Sequence, residues 1–127
     1  MMVIDTSALM AILQGEPDAE RCGAAIEREE RLLMSSATLA EALIVSARRN
    51  IEVEMTTLIE ALAVEIVPVT AVAARRIAGI YRRWGKGFHP AGLNFGDCFA
   101  YDLAKEQDCP LLFVGQDFSQ TDLCAPD

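Results

Sequence analysis

Four short apolar segments alternate with stretches of helical periodicity along the chain, and this alternation restricts the fold more than any other feature. The segments are three to five residues long and rich in Val, Ile and Leu, as buried strands are. Strands that alternate with helices form a parallel sheet covered on both faces. We therefore predict an α/β fold with three layers, α/β/α, and a central, mostly parallel sheet of four to five strands. The predicted strands cover residues 2–5, 32–34, 65–69 and 110–114.

Helix start and stop signals occupy the intervals between these strands. Thr6 or Ser7 is placed to cap a first helix, and Thr70 to cap a long one that ends near Trp84. Segment 119–127 is short, so the formation of a fifth strand stays open. The other predicted helices start at Pro17, between Ser35 and Thr38, at Glu52 and at Phe95, and end near residues 30, 50, 63 and 107.

Length and composition fit one domain that spans residues 1–127. A hydrophobic content of 52% excludes a disordered chain. No apolar run is long enough to cross a bilayer and the N-terminus lacks a signal peptide, so we expect a cytoplasmic protein without membrane contact. The four cysteines form no CxxC pair, and we expect four free thiols, mostly buried: Cys22, Cys98, Cys109 and Cys124.

Four acidic residues stand where acids are unusual. Asp5 directly follows the first strand, and Asp117 follows the last one by three residues. Ligands of open α/β sheets bind beyond the carboxyl ends of the strands, so these two acids are placed to converge. Glu41 and Asp97 each lie near the start of an otherwise apolar helix, where an anionic side chain is favoured.

Each of these acids also has an ordinary explanation. Asp5 could cap the first helix, and Asp117 is a routine turn residue. Thr38 and Glu41 match a capping box, so Glu41 could serve only that role, and Asp97 could interact only with its helix dipole.

A cluster of the four carboxylates requires a cation, because like charges at close range raise each other's pKa. No lysine or arginine is close to them in sequence. Oxygen-only ligands favour Mg²⁺ or Mn²⁺, which activate water and stabilise charge on a phosphoryl group. This chemistry hydrolyses phosphodiesters without a histidine, and we interpret the single histidine, His89, as a loop residue.

Four segments together resemble the PIN-domain family, in particular VapC-type toxins. They are the opening VIDTSAL with Asp5, SSATLAE with Glu41, LNFGDCFAY with Asp97 and LFVGQDF with Asp117. They run from residue 3 to residue 118 in the family's order, so the resemblance covers essentially the whole chain.

The resemblance implies a PIN-like fold and a toxin endoribonuclease. It implies that Asp5, Glu41, Asp97 and Asp117 bind Mg²⁺ or Mn²⁺ and are catalytic, with Thr6 or Ser7 in support. It also implies a homodimer, a VapB-type antitoxin that blocks the site, and a structured RNA substrate such as tRNA or ribosomal RNA.

The net charge of −8 argues against a uniform phosphate-binding surface. Segment 71–105, however, carries six bases against two acids, so its local charge is +4 and the rest of the chain carries −12. A solvated helix face would explain these bases. The alternative that suits a ribonuclease is RNA contact through Arg82, Arg83 and Lys86.

Competing enzyme classes fit less well. A haloacid-dehalogenase-like enzyme needs a second aspartate at the position of Ser7, and a receiver domain needs one after the third strand. The alternative from another class is a non-catalytic PIN-like RNA-binding or assembly module. Asp102 stands about 140° around the helix from Asp97, so we expect it at the surface or behind the site.

Overall fold

The chain forms a four-stranded parallel sheet with helices on both faces. A computed structural model describes residues 1–126. The strands are β1 (Met2–Ile4), β2 (Leu32–Ser35), β3 (Glu65–Val67) and β4 (Leu111–Leu112). The helices are α1 (Thr6–Leu13), α2 (Ala19–Glu27), α3 (Ser36–Arg48), α4 (Glu52–Ala61), α5 (Ala71–Trp84) and α6 (Phe95–Gln107). The predicted three-layer α/β fold is confirmed.

Alternation along the strands divides the core into two layers. Met2 and Ile4 of β1 pack in one cluster, whereas Val3 between them packs in the other, because successive side chains of a strand point to opposite faces. One cluster is completed by buried residues of α1, α2 and α4, such as Leu9, Cys22 and Met55. The other is completed by residues of α5 and α6, such as Ile77, Trp84 and Tyr101.

The order of the strands creates a crevice at one edge of the sheet. The sheet order is β3-β2-β1-β4, and all pairs are parallel. The chain passes from β1 to β2 and β3 on one side and then crosses to β4 on the other. Ligands of such sheets bind at this switch point, beyond the carboxyl ends of the two strands that flank it. Here those strands are β1 and β4.

The last strand is shorter than predicted because side chains take its polar main-chain groups. The carbonyl of Phe113 accepts a hydrogen bond from Arg21 Nη2 at 3.1 Å, and the Val114 N–H donates to Ser7 Oγ at 3.0 Å. Neither group is therefore available for a ladder. Leu111 of β4 donates its N–H to the Cys124 carbonyl, but no fifth strand forms as far as residue 126.

Three smaller predictions from the sequence can also be compared with the structure. Thr70 caps α5 as predicted, through its hydroxyl and the Ala73 N–H. The four cysteines are free thiols, although only Cys22 and Cys98 are buried. Among the described residues, 1–126, no helix has the length and apolar character needed to cross a membrane.

Candidate active site

Asp5 lies at the carboxyl end of β1, inside the crevice. Its main-chain N–H donates to the Leu112 carbonyl of β4 at 3.0 Å, which fixes it at the switch point. Its carboxylate Oδ2 accepts from the Ser7 N–H at 3.1 Å and from Ser7 Oγ at 2.6 Å. Asp5 rather than Thr6 or Ser7 is thus the cap of α1. At 6% exposure its charge is nearly removed from water.

Ser7 connects the two sides of the crevice. While its hydroxyl donates to Asp5, the same oxygen accepts from the Val114 N–H, three residues before Asp117. Phe118 is buried and packs against Phe113 with 5.1 Å between ring centroids, which anchors the turn that carries Asp117. Asp117 itself is exposed. The structure therefore ties the segment of the fourth acid to the first.

Glu41 lies in the second turn of α3, and its carboxylate Oε1 accepts from Thr6 Oγ1 at 2.8 Å. The predicted capping box with Thr38 is wrong. Helix α3 begins three residues earlier than that box requires, because Ser35 is its cap and accepts from the Ala37 N–H. Thr38 is then inside the helix and buried, so Glu41 is left to pair with Thr6 across the site.

Asp97 lies at the start of α6 and forms a capping box that the sequence analysis missed. Asn94 Oδ1 accepts from the Asp97 N–H at 2.8 Å, and Asp97 Oδ2 accepts from the Asn94 N–H at 3.0 Å. The signal was present, since Asn is a preferred cap and an acid follows it three residues later. The box orients an Asp97 side chain that is only 8% exposed.

Gly96 allows the start of α6 to approach Glu41. A Cβ atom at this position would overlap Glu41 Oε2. Any other residue would therefore push the carboxylate away from Asp97. The sequence analysis did not single out Gly96, since close approach of a second helix is a property of the folded chain.

The four carboxylates interact through their charges. The pKa of Asp97 is raised to about 7, mainly by burial and further by the charges of Asp5, Asp117 and Glu41, against the lowering effect of the Asn94 hydrogen bond. Burial also raises the pKa of Asp5, and the charge of Glu41 adds to that effect. Within residues 1–126, no ion pair includes any of these four acids. The structure thus brings all four together without a base to neutralise them.

This donor set consists of oxygens only, which is the chemistry of a hard divalent cation. No three His, Cys, Asp or Glu side chains among residues 1–126 already form a group that could hold a metal ion. The charges of the acids therefore act on one another, but their side chains do not stand at positions from which they would coordinate one metal ion. Of the four, Asp117 is exposed and Glu41 is half-buried, whereas Asp5 and Asp97 are buried.

The predicted RNA-contact residues lie beside the start of α6. Arg82, Arg83 and Lys86 are exposed, at the end of α5 and directly after it. The Lys86 N–H donates to the Leu93 carbonyl and the Leu93 N–H donates to the Trp84 carbonyl, so this basic end is bound to the segment that leads into Asn94. Two further bases of the stretch are already paired: Arg76 with Asp102 and Glu106, and Lys105 with Asp122.

Two other residues take structural roles. Asp102 was expected at the surface or behind the site, but it is buried and accepts two hydrogen bonds from Arg76, at 2.8 and 3.1 Å. His89 is a loop residue: its Nδ1 accepts from the Ala91 N–H, and its ring lies edge-on to Trp84.

Residues 2–123 match the model of the PIN domain family. The chain is 50% identical over 125 residues to ribonuclease VapC30 of Mycobacterium tuberculosis, which covers 96% of this chain and 95% of that protein. The crystal structure of M. tuberculosis VapC20, a sarcin-ricin loop cleaving toxin, superposes with a TM-score of 0.80 at 16% identity, over 98% and 97% of the two chains. A toxin-antitoxin complex from Klebsiella pneumoniae gives 0.72 at 17% identity, over 96% and 93%.

The raised pKa of Asp97 predicts how the stability of the metal-free protein depends on pH. Between its usual value of 3.8 and about 7, the folded state holds a proton that the unfolded state has lost. The free energy of unfolding therefore falls as pH rises through this window, by up to about 1.4 kcal/mol per unit. Urea unfolding in EDTA at pH 5 and pH 8 measures this fall. Asp97→Asn should remove most of it and the exposed Asp108→Asn should not; equal pH profiles would contradict the prediction.

The close approach at Gly96 predicts different effects of alanine at two helical glycines. Gly96→Ala should stabilise the chain by at least about 0.5 kcal/mol less than Gly79→Ala does, because its new Cβ overlaps Glu41 Oε2 and that carboxylate must shift. Gly79→Ala in α5 is the matched control: its new Cβ would meet only Arg82 Nη2 at 3.8 Å, so it should raise the free energy of unfolding by about 0.5–1 kcal/mol. Chemical denaturation measures the difference, and equal gains in stability for both variants would refute the close packing at Gly96.

Proposed function

The chain belongs to the PIN domain family, and on this premise we propose that it is a divalent-metal-dependent endoribonuclease, the toxin of a toxin–antitoxin pair. The observation that supports this most is the gathering of Asp5, Glu41, Asp97 and Asp117 at the switch point with no base among them. The full-length identity to a protein named ribonuclease VapC30 supports the reaction class. That residues 1–127 form one PIN domain stays a prediction.

Asp5 and Asp97 are the proposed direct ligands of Mg²⁺ or Mn²⁺, since they are the most buried of the four and are held by helix caps. Glu41 and Asp117 act through water or complete a second metal position. When bound, the metal neutralises these charges and acts as the Lewis acid that activates water and stabilises the phosphoryl group. The acids and their supports hold that position within the crevice.

Thr6 and Ser7 orient two of the acids. Ser7 holds Asp5 Oδ2 through both its hydroxyl and its main-chain N–H, and Thr6 holds Glu41 Oε1. A hydroxyl donor suits this role because it stabilises a carboxylate without adding a positive charge that would compete with a metal. These two residues explain how like charges are kept in fixed positions beside one another.

Arg82, Arg83 and Lys86 are the proposed contacts to the RNA backbone. They supply an exposed positive surface at one side of the acids in a chain whose net charge is −8. Phosphate contacts of this kind position a nucleic acid without reading its sequence. The substrate class that we propose is a structured RNA such as tRNA or ribosomal RNA.

The proposed partners are a VapB-type antitoxin and a second copy of the chain. The name of the relative, VapC30, supports a cognate antitoxin. Large apolar side chains that remain exposed, among them Ile44, Val53 and Val72 at 58%, 73% and 60%, are of the kind that protein interfaces bury. We propose that the antitoxin blocks access to the acids and that the toxin is a homodimer.

The second candidate is a non-catalytic PIN-like RNA-binding or assembly module. The cost of burying Asp5 and Asp97 without a counter-charge disfavours it, because a scaffold gains nothing from that arrangement. A module of this class would bind RNA and leave it intact, with or without a divalent ion.

Cleavage in defined metal conditions tests the proposed activity. Purified protein free of antitoxin should cut one or more RNAs from a set that includes tRNA and ribosomal RNA, with Mg²⁺ or Mn²⁺ and not with EDTA. Asp5→Asn should lower the rate by about 100-fold or more, because it removes a proposed ligand. Asp108→Asn, an exposed residue at the end of α6, should leave it unchanged. RNA binding without cleavage of any RNA would favour the scaffold.

The basic end of α5 is tested by the salt dependence of RNA binding. Arg82→Gln with Arg83→Gln should weaken binding and reduce the slope of log K against log salt by about 1 to 2, because each lost phosphate contact removes roughly 0.7 to 0.9. Arg48→Gln with Arg49→Gln is the matched control: this exposed pair also ends a helix, α3, which starts at the crevice and runs away from it. An equal slope change in both double variants would place the RNA elsewhere.

A further inference from the structure

Phe95 is the most exposed aromatic side chain among residues 1–126, with 71% of its surface in water. It is the first residue of α6 and lies between the cap Asn94 and Gly96. Ala or Ser would serve at a helix start, so the helix itself does not require an aromatic residue at this position.

The ring is held in one place. Phe99, one turn later on the same face of α6, meets it edge-on with 4.9 Å between centroids and 86° between ring planes. The two hydrogen bonds between Asn94 and Asp97 fix the turn that carries it. The two ring planes are nearly perpendicular, and 71% of Phe95 still remains in water. A fixed and exposed π-face is what a stacking partner needs, because little entropy is lost on contact.

Phe95 also flanks the acid site. Gly96 lies against the Glu41 carboxylate, and Asp97 follows it. With 3.6 residues per turn, the side chain of Phe95 leaves the helix about 100° from the direction of Gly96 and about 200° from that of Asp97. The ring therefore leaves α6 on nearly the opposite side from Asp97 and does not enter the carboxylates, although its main chain adjoins Gly96 and through it the Glu41 carboxylate.

At the position of Phe95, an uncharged contact to the RNA is favoured over a phosphate contact. Four carboxylates repel phosphates, and the turn of residues 94–98 that carries Asp97 contains no lysine or arginine. Stacking of an unpaired base on an aromatic ring needs no charge and accepts every base. We propose that Phe95 is the stacking platform for an unpaired nucleobase of the RNA, next to the phosphate that is cut.

This inference rests on the proposed ribonuclease function and assigns Phe95 a positioning role. It follows that the enzyme prefers RNA whose bases are free near the cut, such as a loop or bulge, because bases inside a helix are not available to stack. Phe88 is the matched control. It is also exposed, at 62%, and edge-on to a neighbouring ring, Tyr81, but it lies in the loop of residues 85–94 rather than on the turn that carries Asp97.

Binding should be measured in the Asp5→Asn background, where cleavage is blocked, with a fluorescent single-stranded RNA of mixed sequence and a series of salt concentrations. Phe95→Ala should weaken binding by about 5- to 100-fold and leave the salt slope unchanged, because stacking carries no charge. Phe95→Trp should bind within about threefold of the parent, whereas Phe95→Leu should fall close to Phe95→Ala. Phe88→Ala should bind within about twofold of the parent.

Three results would overturn the stacking role. They are unchanged RNA binding by Phe95→Ala, full binding by Phe95→Leu, which would show an apolar contact without stacking, and loss of dimer or antitoxin binding with RNA binding intact. The proposed function fails in a different way, through absence of cleavage by the wild-type chain. If wild type cleaves, Phe95→Ala should raise KM for a loop substrate by about 5-fold or more and change kcat less, since an uncut base contact serves binding.

Discussion

The repulsion among four carboxylates at one edge of the sheet is the constraint on which the rest of this structure depends. Burial alone disfavours the charged forms of Asp5 and Asp97, and each of them also feels other acids. The fold offsets part of this cost with partial positive charges, because both residues accept main-chain N–H groups at the start of a helix. Neutral donors add to this effect, since Ser7 Oγ donates to Asp5 and Thr6 Oγ1 donates to Glu41.

Every strand or helix that reaches the crevice therefore also contributes residues to the acid site. Strand β1 ends at Asp5, α1 begins with the two hydroxyls, and α3 and α6 approach each other closely enough for Gly96 to meet Glu41. The parallel order of the strands is what makes this possible, because it brings the ends of β1 and β4 and the starts of the helices to one edge. The caps at the starts of α1 and α6 hold Asp5 and Asp97, and Thr6 at the start of α1 holds Glu41.

Local patterns predicted the elements, and long-range contacts decided the details. Helix α6 has the predicted bounds, and Thr70 caps α5, since periodicity and caps are properties of neighbouring residues. The capping box at Thr38 failed because Ser35, also a good cap, starts the helix first. The burial of Asp102 was missed because its partner Arg76 comes from another helix. The charges of Asp5, Glu41 and Asp117 act on Asp97, but the metal-binding and catalytic roles of these acids stay predictions, and no local pattern pointed to Gly96.

In an acidic chain that acts on RNA, the bases that attract the RNA backbone have to be kept apart from the acids proposed to bind the metal. Three of the chain's exposed bases, Arg82, Arg83 and Lys86, lie at the end of α5 or directly after it, where the main chains of Trp84 and Lys86 are bound to that of Leu93. Moving such bases into the crevice would neutralise the carboxylates and remove the need for a metal. Because these bases lie outside the crevice, the side chains next to the acids are neutral. The hydroxyls of Thr6 and Ser7 donate to the carboxylates, and the ring of Phe95 faces solvent. The repulsion among the four carboxylates thus requires a cation and also favours neutral side chains next to the acids.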